Sequence, residues 1–107
     1  METPTLDYLN SMANGDDVFI QEILGVIQEE LPVEHDEYCN HIDGENWEGA
    51  ADLVHKIKHK FTIFGLESSV ALANRHEKDL RDKSPVFHNQ FNDLIDLIRK
   101  FVKDKTT

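Results

Sequence analysis

Between Phe19 and Val102 the apolar residues of this chain recur every three or four positions, and nowhere do they alternate with period two over the length of a strand. That spacing lines one face of an α-helix, so the chain has to bury helical stripes against one another. The pattern breaks at Asn14-Gly15, at Gly44, at Gly65 and at Ser84-Pro85. These breaks predict a short N-terminal helix over about 4–12 and bundle helices over about 16–43, 46–63, 67–82 and 85–103. The expected fold is all-α, an antiparallel four-helix bundle with a short extra N-terminal helix, in a single domain over residues 1–107.

Within the first long segment Phe19, Ile20, Ile23, Leu24, Ile27 and Leu31 share a stripe that Tyr38, Cys39 and Ile42 resume beyond Pro32. Between Pro32 and Gly44 there is no glycine or turn cluster, so one long helix kinked at Pro32 is expected, with Gly44 as a left-handed terminal residue. Asn46 caps the next helix, whose Trp47, Ala50, Ala51, Val54, Ile57, Phe61 and Phe64 form its core stripe. The opposite stripe, Glu48, Asp52, His55, His59 and Thr62, is polar throughout, which turns His55 away from the core. The fourth segment buries Val70, Ala73 and Leu80, with Leu66 beside them. Ser84 and Pro85 read as N-cap and first helical residue of the last helix, which buries Phe87, Phe91, Leu94, Ile95, Ile98, Phe101 and Val102. Lys100, Lys103 and Lys105 stand near its C-terminus, where the helix dipole favours cations.

Composition narrows the functional classes. A formal charge of −10 argues against nucleic acid, whose binding relies on basic side chains neutralising phosphates. No apolar run approaches the ~20 residues that span a bilayer, and the N-terminus lacks a basic region followed by an apolar one, which places the protein in the cytoplasm. The single cysteine, Cys39, rules out an intramolecular disulfide and reads as helix filler. His35, His41, His76 and His88 read as surface or half-buried residues without chemistry, and Lys56 and Lys60 as solvated surface.

One stretch carries chemistry. Lysines cluster between Lys56 and Lys60, whereas residues 28–52 hold many acids and no lysine or arginine, so a local positive spot marks an otherwise negative chain. An exposed neutral imidazole is a nucleophile, and Lys58, three residues after His55, lies beside it on a helix surface. If His55 takes a phosphoryl group, the Lys58 ammonium balances the arriving charge. The rival reading is metal binding by His55 and His59 with His76 or Cys39 and His41, but the lysines around the pair would repel a dication, and no glutamate follows the first histidine.

The pattern His-x-x-Lys with a glycine ten residues after the histidine, here His55, Lys58 and Gly65, resembles the signature of histidine-containing phosphotransfer (HPt) domains. The preceding Asp43-Gly44-Glu45-Asn46-Trp47 turn, the Glu30-Leu31-Pro32 tripeptide and the Gly15-Asp16-Asp17-Val18-Phe19 start are similar to that family as well, over roughly residues 5 to 102. The resemblance implies a phosphorelay intermediary without kinase activity or bound nucleotide, in which His55 is phosphorylated, Lys58 faces the phosphate and Gly65 ends the helix and packs closely. It implies response-regulator receiver domains and a hybrid sensor histidine kinase as partners, a monomer, no cofactor of its own, and Mg²⁺ only in the receiver. The fit of one domain to the whole length favours a stand-alone protein. Receiver docking falls to His59, Thr62 and Gly65. Where the family usually has a small residue directly after the lysine this chain has His59, and the expectation is that its bulk selects a particular partner. A phosphorylation-independent interaction module would use the same face.

Overall fold

The computed structural model describes residues 2–106, and these form α1 (Asp7–Ala13), α2 (Asp17–Asp43), α3 (Trp47–Ile63), α4 (Glu67–Arg81) and α5 (His88–Lys105), with no strand among them. α2 packs on α3, α3 on α4, α4 on α5 and α5 back on α2, while α1 lies against α2. Long helices joined by short turns and packed on their neighbours run antiparallel, so the four long helices close into a bundle. None of the described helices is long and apolar enough to cross a membrane.

Local chemistry sets the helix boundaries. The Asp16 side chain accepts from the Phe19 N–H at 3.1 Å, and Asn46 accepts from the Gly49 N–H at 3.1 Å, each satisfying a free donor of a helix's first turn. The first turn of α4 is capped from a distance: the Glu2 carboxylate accepts from the Ser68 and Ser69 N–H groups at 2.9 and 3.2 Å. Those backbone hydrogen bonds hold Glu2 below the usual carboxylate range. Three helices end alike. At the end of α3 the Gly65 N–H reaches the Thr62 carbonyl and the Leu66 N–H reaches the Phe61 carbonyl, with Gly65 at φ +73, a Schellman motif. Glu45 takes the left-handed place after α2 at φ 56 and Lys83 after α4 at φ 64. The left-handed residue after α2 is thus Glu45 and not Gly44, whose φ is −87.

The start of α5 also departs from the sequence reading. The Ser84 N–H donates to the Asp79 carbonyl at 2.8 Å and helps close the end of α4, while the residue that precedes α5 is Phe87, which provides no side-chain cap. Pro85 enters a turn closed by the His88 N–H, and α5 begins at His88. Pro32 sits inside an α2 that runs unbroken to Asp43. It has no N–H, so the Gln28 carbonyl loses its usual donor. Burial of Leu31 and Glu34 on the same helix holds the segment against the core.

That core gathers Leu24, Leu31, Tyr38, Val54, Ile57, Phe61, Phe64, Leu66, Leu80, Phe91, Ile95 and Ile98, each buried. On α4 the buried face is Ser69, Ala73, His76 and Leu80, while Val70 is only half-buried. Burial raises the half-buried Cys39 thiol, with the nearby acids Asp43, Asp36 and Asp96 adding to it, which suits packing rather than reactivity.

Two polar residues read as surface are in fact interior. The Lys60 ammonium lies 2.9 Å from the Glu34 carboxylate and 3.7 Å from Glu30 across the α2–α3 contact, with Lys60 8% and Glu34 7% exposed. Lys60 stands two positions from Lys58, and at about 100° per residue that step carries it round to the core side. His76 is fully buried, its Nε2 2.7 Å from the Tyr38 hydroxyl, which also lies 2.8 Å from His88 Nδ1. A hydroxyl has one proton, so Tyr38 donates to one ring and accepts from the other. His76 Nδ1 has no partner, and the tautomer protonated at Nε2 leaves there a bare lone pair and no unpaired N–H. Burial raises the Tyr38 pKa, and it pulls His76 down to about 4, with His88 adding to the shift and Asp79 opposing it.

These interior groups give two expected outcomes. The unfolded chain binds a proton at His76 from about pH 6.5, whereas the folded one resists until about 4. This contribution is therefore complete above pH 6.5 and is lost as pH falls toward 4, amounting to ~3 kcal/mol. Urea melts across pH 7.5 to 4 should show that loss reduced in His76→Phe, and an unchanged slope would assign the acid sensitivity elsewhere. Lys60→Met strands the Glu34 carboxylate and should destabilise by about 3 kcal/mol. Lys60→Met with Glu34→Leu should recover most of the loss in the same urea melts.

Candidate functional site

The α3–α4 contact builds the site. α3 buries Ala50, Ala51, Val54, Ile57 and Phe61, which fixes its rotation and leaves Glu48, Asp52, His55, His59 and Thr62 exposed on the other side. α4 brings Asn74, Glu77 and Arg81 alongside, spaced three and four apart and flanking its own buried stripe. The two polar edges meet in one network.

Glu77 is its centre. One carboxylate oxygen lies 3.1 Å from His55 Nδ1 and 3.5 Å from Lys58 Nζ, and the other accepts from Arg81 at 3.2 Å. Arg81 also donates to Glu48 at 2.6 Å and to Asp52 at 3.2 Å, which ties the first half of α3 to the end of α4. Burial alone would raise the Glu77 carboxyl, but hydrogen bonds from Arg81 and His55 and the charge of Lys58 outweigh it and hold it below the usual carboxylate range. Glu77 is therefore ionised wherever the protein works near neutral pH.

An ionised carboxylate only accepts, so the contact with His55 requires the proton on Nδ1. In the neutral ring the lone pair then sits on Nε2, on a side chain 56% exposed. Lys58 donates to Asn74 Oδ1 at 2.8 Å and to Glu77, and its 3.3 Å approach to His55 Nδ1 is a packing contact once Nδ1 carries the proton. The lysine side chain is 16% exposed, a cation held beside the ring and not one swinging in solvent. The His59 ring stands edge-on to His55 with centroids 5.3 Å apart.

The expected site residues separate into two groups. His55, Lys58 and His59 come together. Thr62 lies two helical turns further along α3, roughly 10 Å by the helical rise, and with Gly65 it lines a shallow groove completed by Tyr8, Leu66, Glu67 and Val70. Tyr8 and Met12 of α1 are about half exposed near this end, at 48% and 55%. Gly65 is favoured by its φ of +73 and not by close packing, since an added Cβ would meet only the Thr5 hydroxyl at an ordinary 3.5 Å. The positive spot also contracts, because Lys60 belongs to the interior pair with Glu34 and only Lys58 stands at the imidazole.

Sequence reasoning missed Glu77, Asn74 and Arg81. Their three- and four-residue spacing along a polar edge of α4 was visible, but which edge faces α3 follows only from packing. Among the described residues no group of three or more histidine, cysteine or acidic side chains is placed to hold a metal ion.

In comparison with known families, the Hpt domain model matches residues 22–101. Comparison with curated proteins and with solved structures gives no match. The matched span contains α3, α4 and nearly all of α2 and α5, including every residue of the His55 network. Hpt domains serve histidine phosphotransfer in two-component systems, working with receiver domains and histidine kinases, and this chain belongs to the Hpt domain family.

Proposed function

We propose that the protein is a phosphorelay intermediary in which His55 takes a phosphoryl group from the aspartyl phosphate of one receiver domain and passes it to the aspartate of another. The observation that carries this reading is the contact of His55 Nδ1 with the Glu77 carboxylate at 3.1 Å, which in the neutral ring puts the lone pair on Nε2 of an exposed side chain. In the step, the Nε2 lone pair attacks phosphorus, an N–P bond forms, the P–O bond to the receiver aspartate breaks, and the carboxylate leaves with that electron pair. The ring becomes cationic as the bond forms. Glu77 faces that developing charge and fixes the ring's orientation, as a carboxylate does behind a ligating or nucleophilic histidine. Lys58, held by Asn74 and Glu77, supplies the cation for the phosphoryl oxygens. Mg²⁺ belongs to the receiver, and transfer to the second receiver reverses the same step.

Docking falls to the exposed α3 edge around His59 and to the groove at Thr62, Gly65 and Val70 beside Tyr8, where apolar surface lies open along the same helix as His55. His59 stands against the reactive ring and meets any receiver that approaches it. The domain acts as a monomer in the cytoplasm under this reading, with a hybrid sensor histidine kinase upstream.

Incubation with a phosphorylated receiver and Mg²⁺ should give acid-labile, base-stable phosphate on the protein that is absent in His55→Ala. Glu77→Gln, which keeps the shape and removes the charge, should slow transfer about tenfold without moving the site of phosphorylation. No transfer from any cognate receiver would sink the relay reading. His59→Gly should broaden the range of receivers served, and a transfer profile unchanged across a receiver panel would remove His59 as a selector.

A further inference from the structure

On the far side of the bundle from His55, α2 and α5 leave a groove of about 440 Å³. Its floor is apolar, from Ile27, Leu31 and Val102, with the ring of Pro32 at one edge. Its rim is cationic, from Arg99, Lys100 and Lys103. We propose that this groove binds a small anionic amphiphile, with an apolar body on the floor and an anionic head held by the three cations.

Charge argues for the occupant's sign. The chain carries 21 acids against 11 lysines and arginines, yet among the described residues no carboxylate forms an ion pair with Arg99, Lys100 or Lys103. Lys58, Lys60 and Arg81 have carboxylate partners, whereas Lys56, Arg75, Lys78, Lys83 and Lys105 lack them among the described residues as the groove cations do, so what sets Arg99, Lys100 and Lys103 apart is their gathering round one apolar floor. Arg99 is held in place by donating to His35 Nδ1 at 3.1 Å, while His35 Nε2 donates to Asn92 at 2.7 Å. The guanidinium is thus oriented by a ring nitrogen, with no carboxylate at ion-pair distance among the described residues. Favourable placement of cations at the end of α5 accounts for their sign, but not for their gathering over an apolar floor.

Size argues for a small molecule. The groove takes residues 27–32 from α2 and 99–103 from α5, a length of roughly 8 Å at the helical rise. A partner helix needs anchor positions over at least two turns, about 11 Å. The volume lies in the range of small-ligand sites. A second copy of the chain is disfavoured by its own charge of −10.

The test is a titration of ¹⁵N-labelled protein with sodium decanoate below its micelle concentration, followed by amide shifts. Saturable shifts confined to residues 27–32 and 98–103 are expected. Lys100→Glu with Lys103→Glu should weaken binding about tenfold, the effect of reversing two charges close to an anion near the surface. Lys56→Glu with Lys78→Glu, which changes net charge equally away from the groove, should leave it intact. A milder pair, Lys100→Gln with Lys103→Gln, should give an intermediate loss and guards against misfolding of the reversal. Shifts elsewhere, no saturation, equal binding of uncharged decyl maltoside, equal weakening by both reversals, or a dimer dissolved by the groove reversal alone would each overturn the proposal. Phosphoryl transfer at His55 is a separate readout, so failure here leaves that reading standing and failure there leaves this one.

Discussion

The rotation of α3 about its own axis is the constraint on which the molecule turns. Ala50, Ala51, Val54, Ile57 and Phe61 are fully buried, and burying large apolar side chains stabilises by about 1.5–3 kcal/mol each. Turning the helix by one residue would exchange much of that stripe for the charges of the other. The same apolar burial that stabilises the bundle therefore aims His55 at solvent, places Lys58 against α4 and turns Lys60 toward α2. Three basic or titratable residues within one and a half turns receive three different environments from one packing decision.

Lys58 and Lys60 make the point in physical terms. Both are lysines in the same short run, and both end with a carboxylate partner. Lys60 meets Glu34 in the α2–α3 contact, with both side chains about nine-tenths buried, where the pair is costly to break and adds little over well-packed apolar residues. Lys58 shares Glu77 with the His55 ring at a surface open on one side. Residue type alone could not distinguish them. Their angular positions on the helix do, which is why counting lysines near a histidine overstated the positive spot.

The bundle was legible because helical periodicity is written along the whole chain, and the outward aim of His55 was legible because it is a property of one helix. What eluded the sequence lies between helices. Glu77 and Arg81 act on α3 from α4, Glu2 caps a helix far along the chain, and His76 meets Tyr38 across the core. The helix ends were legible in part. Gly44 marked the end of α2 at Asp43, although the left-handed residue is the following Glu45, and Ser84-Pro85 lies a turn ahead of the start of α5 at His88. Asn46 closes the end of α2 through its N–H and caps α3 through its side chain, so one residue serves two helices.

In the proposed relay the acceptor must release what it takes, so the site has to stabilise a phosphorylated imidazole without trapping it. The shared carboxylate suits that need. Glu77 compensates the ring's charge through Nδ1, yet Arg81 and Lys58 draw on the same two oxygens, so no single partner receives its full attraction. The phosphoryl group on Nε2 would stand on the opposite edge of the ring, in water, with one cation beside the ring to meet it. A deep pocket lined by several cations would hold the group more tightly and make the onward step slower, because transfer is accelerated only by contacts stronger in the transition state than in the bound state. Under this proposal, an exposed nucleophile backed by a fixed, divided counter-charge would leave the direction of transfer to the receiver.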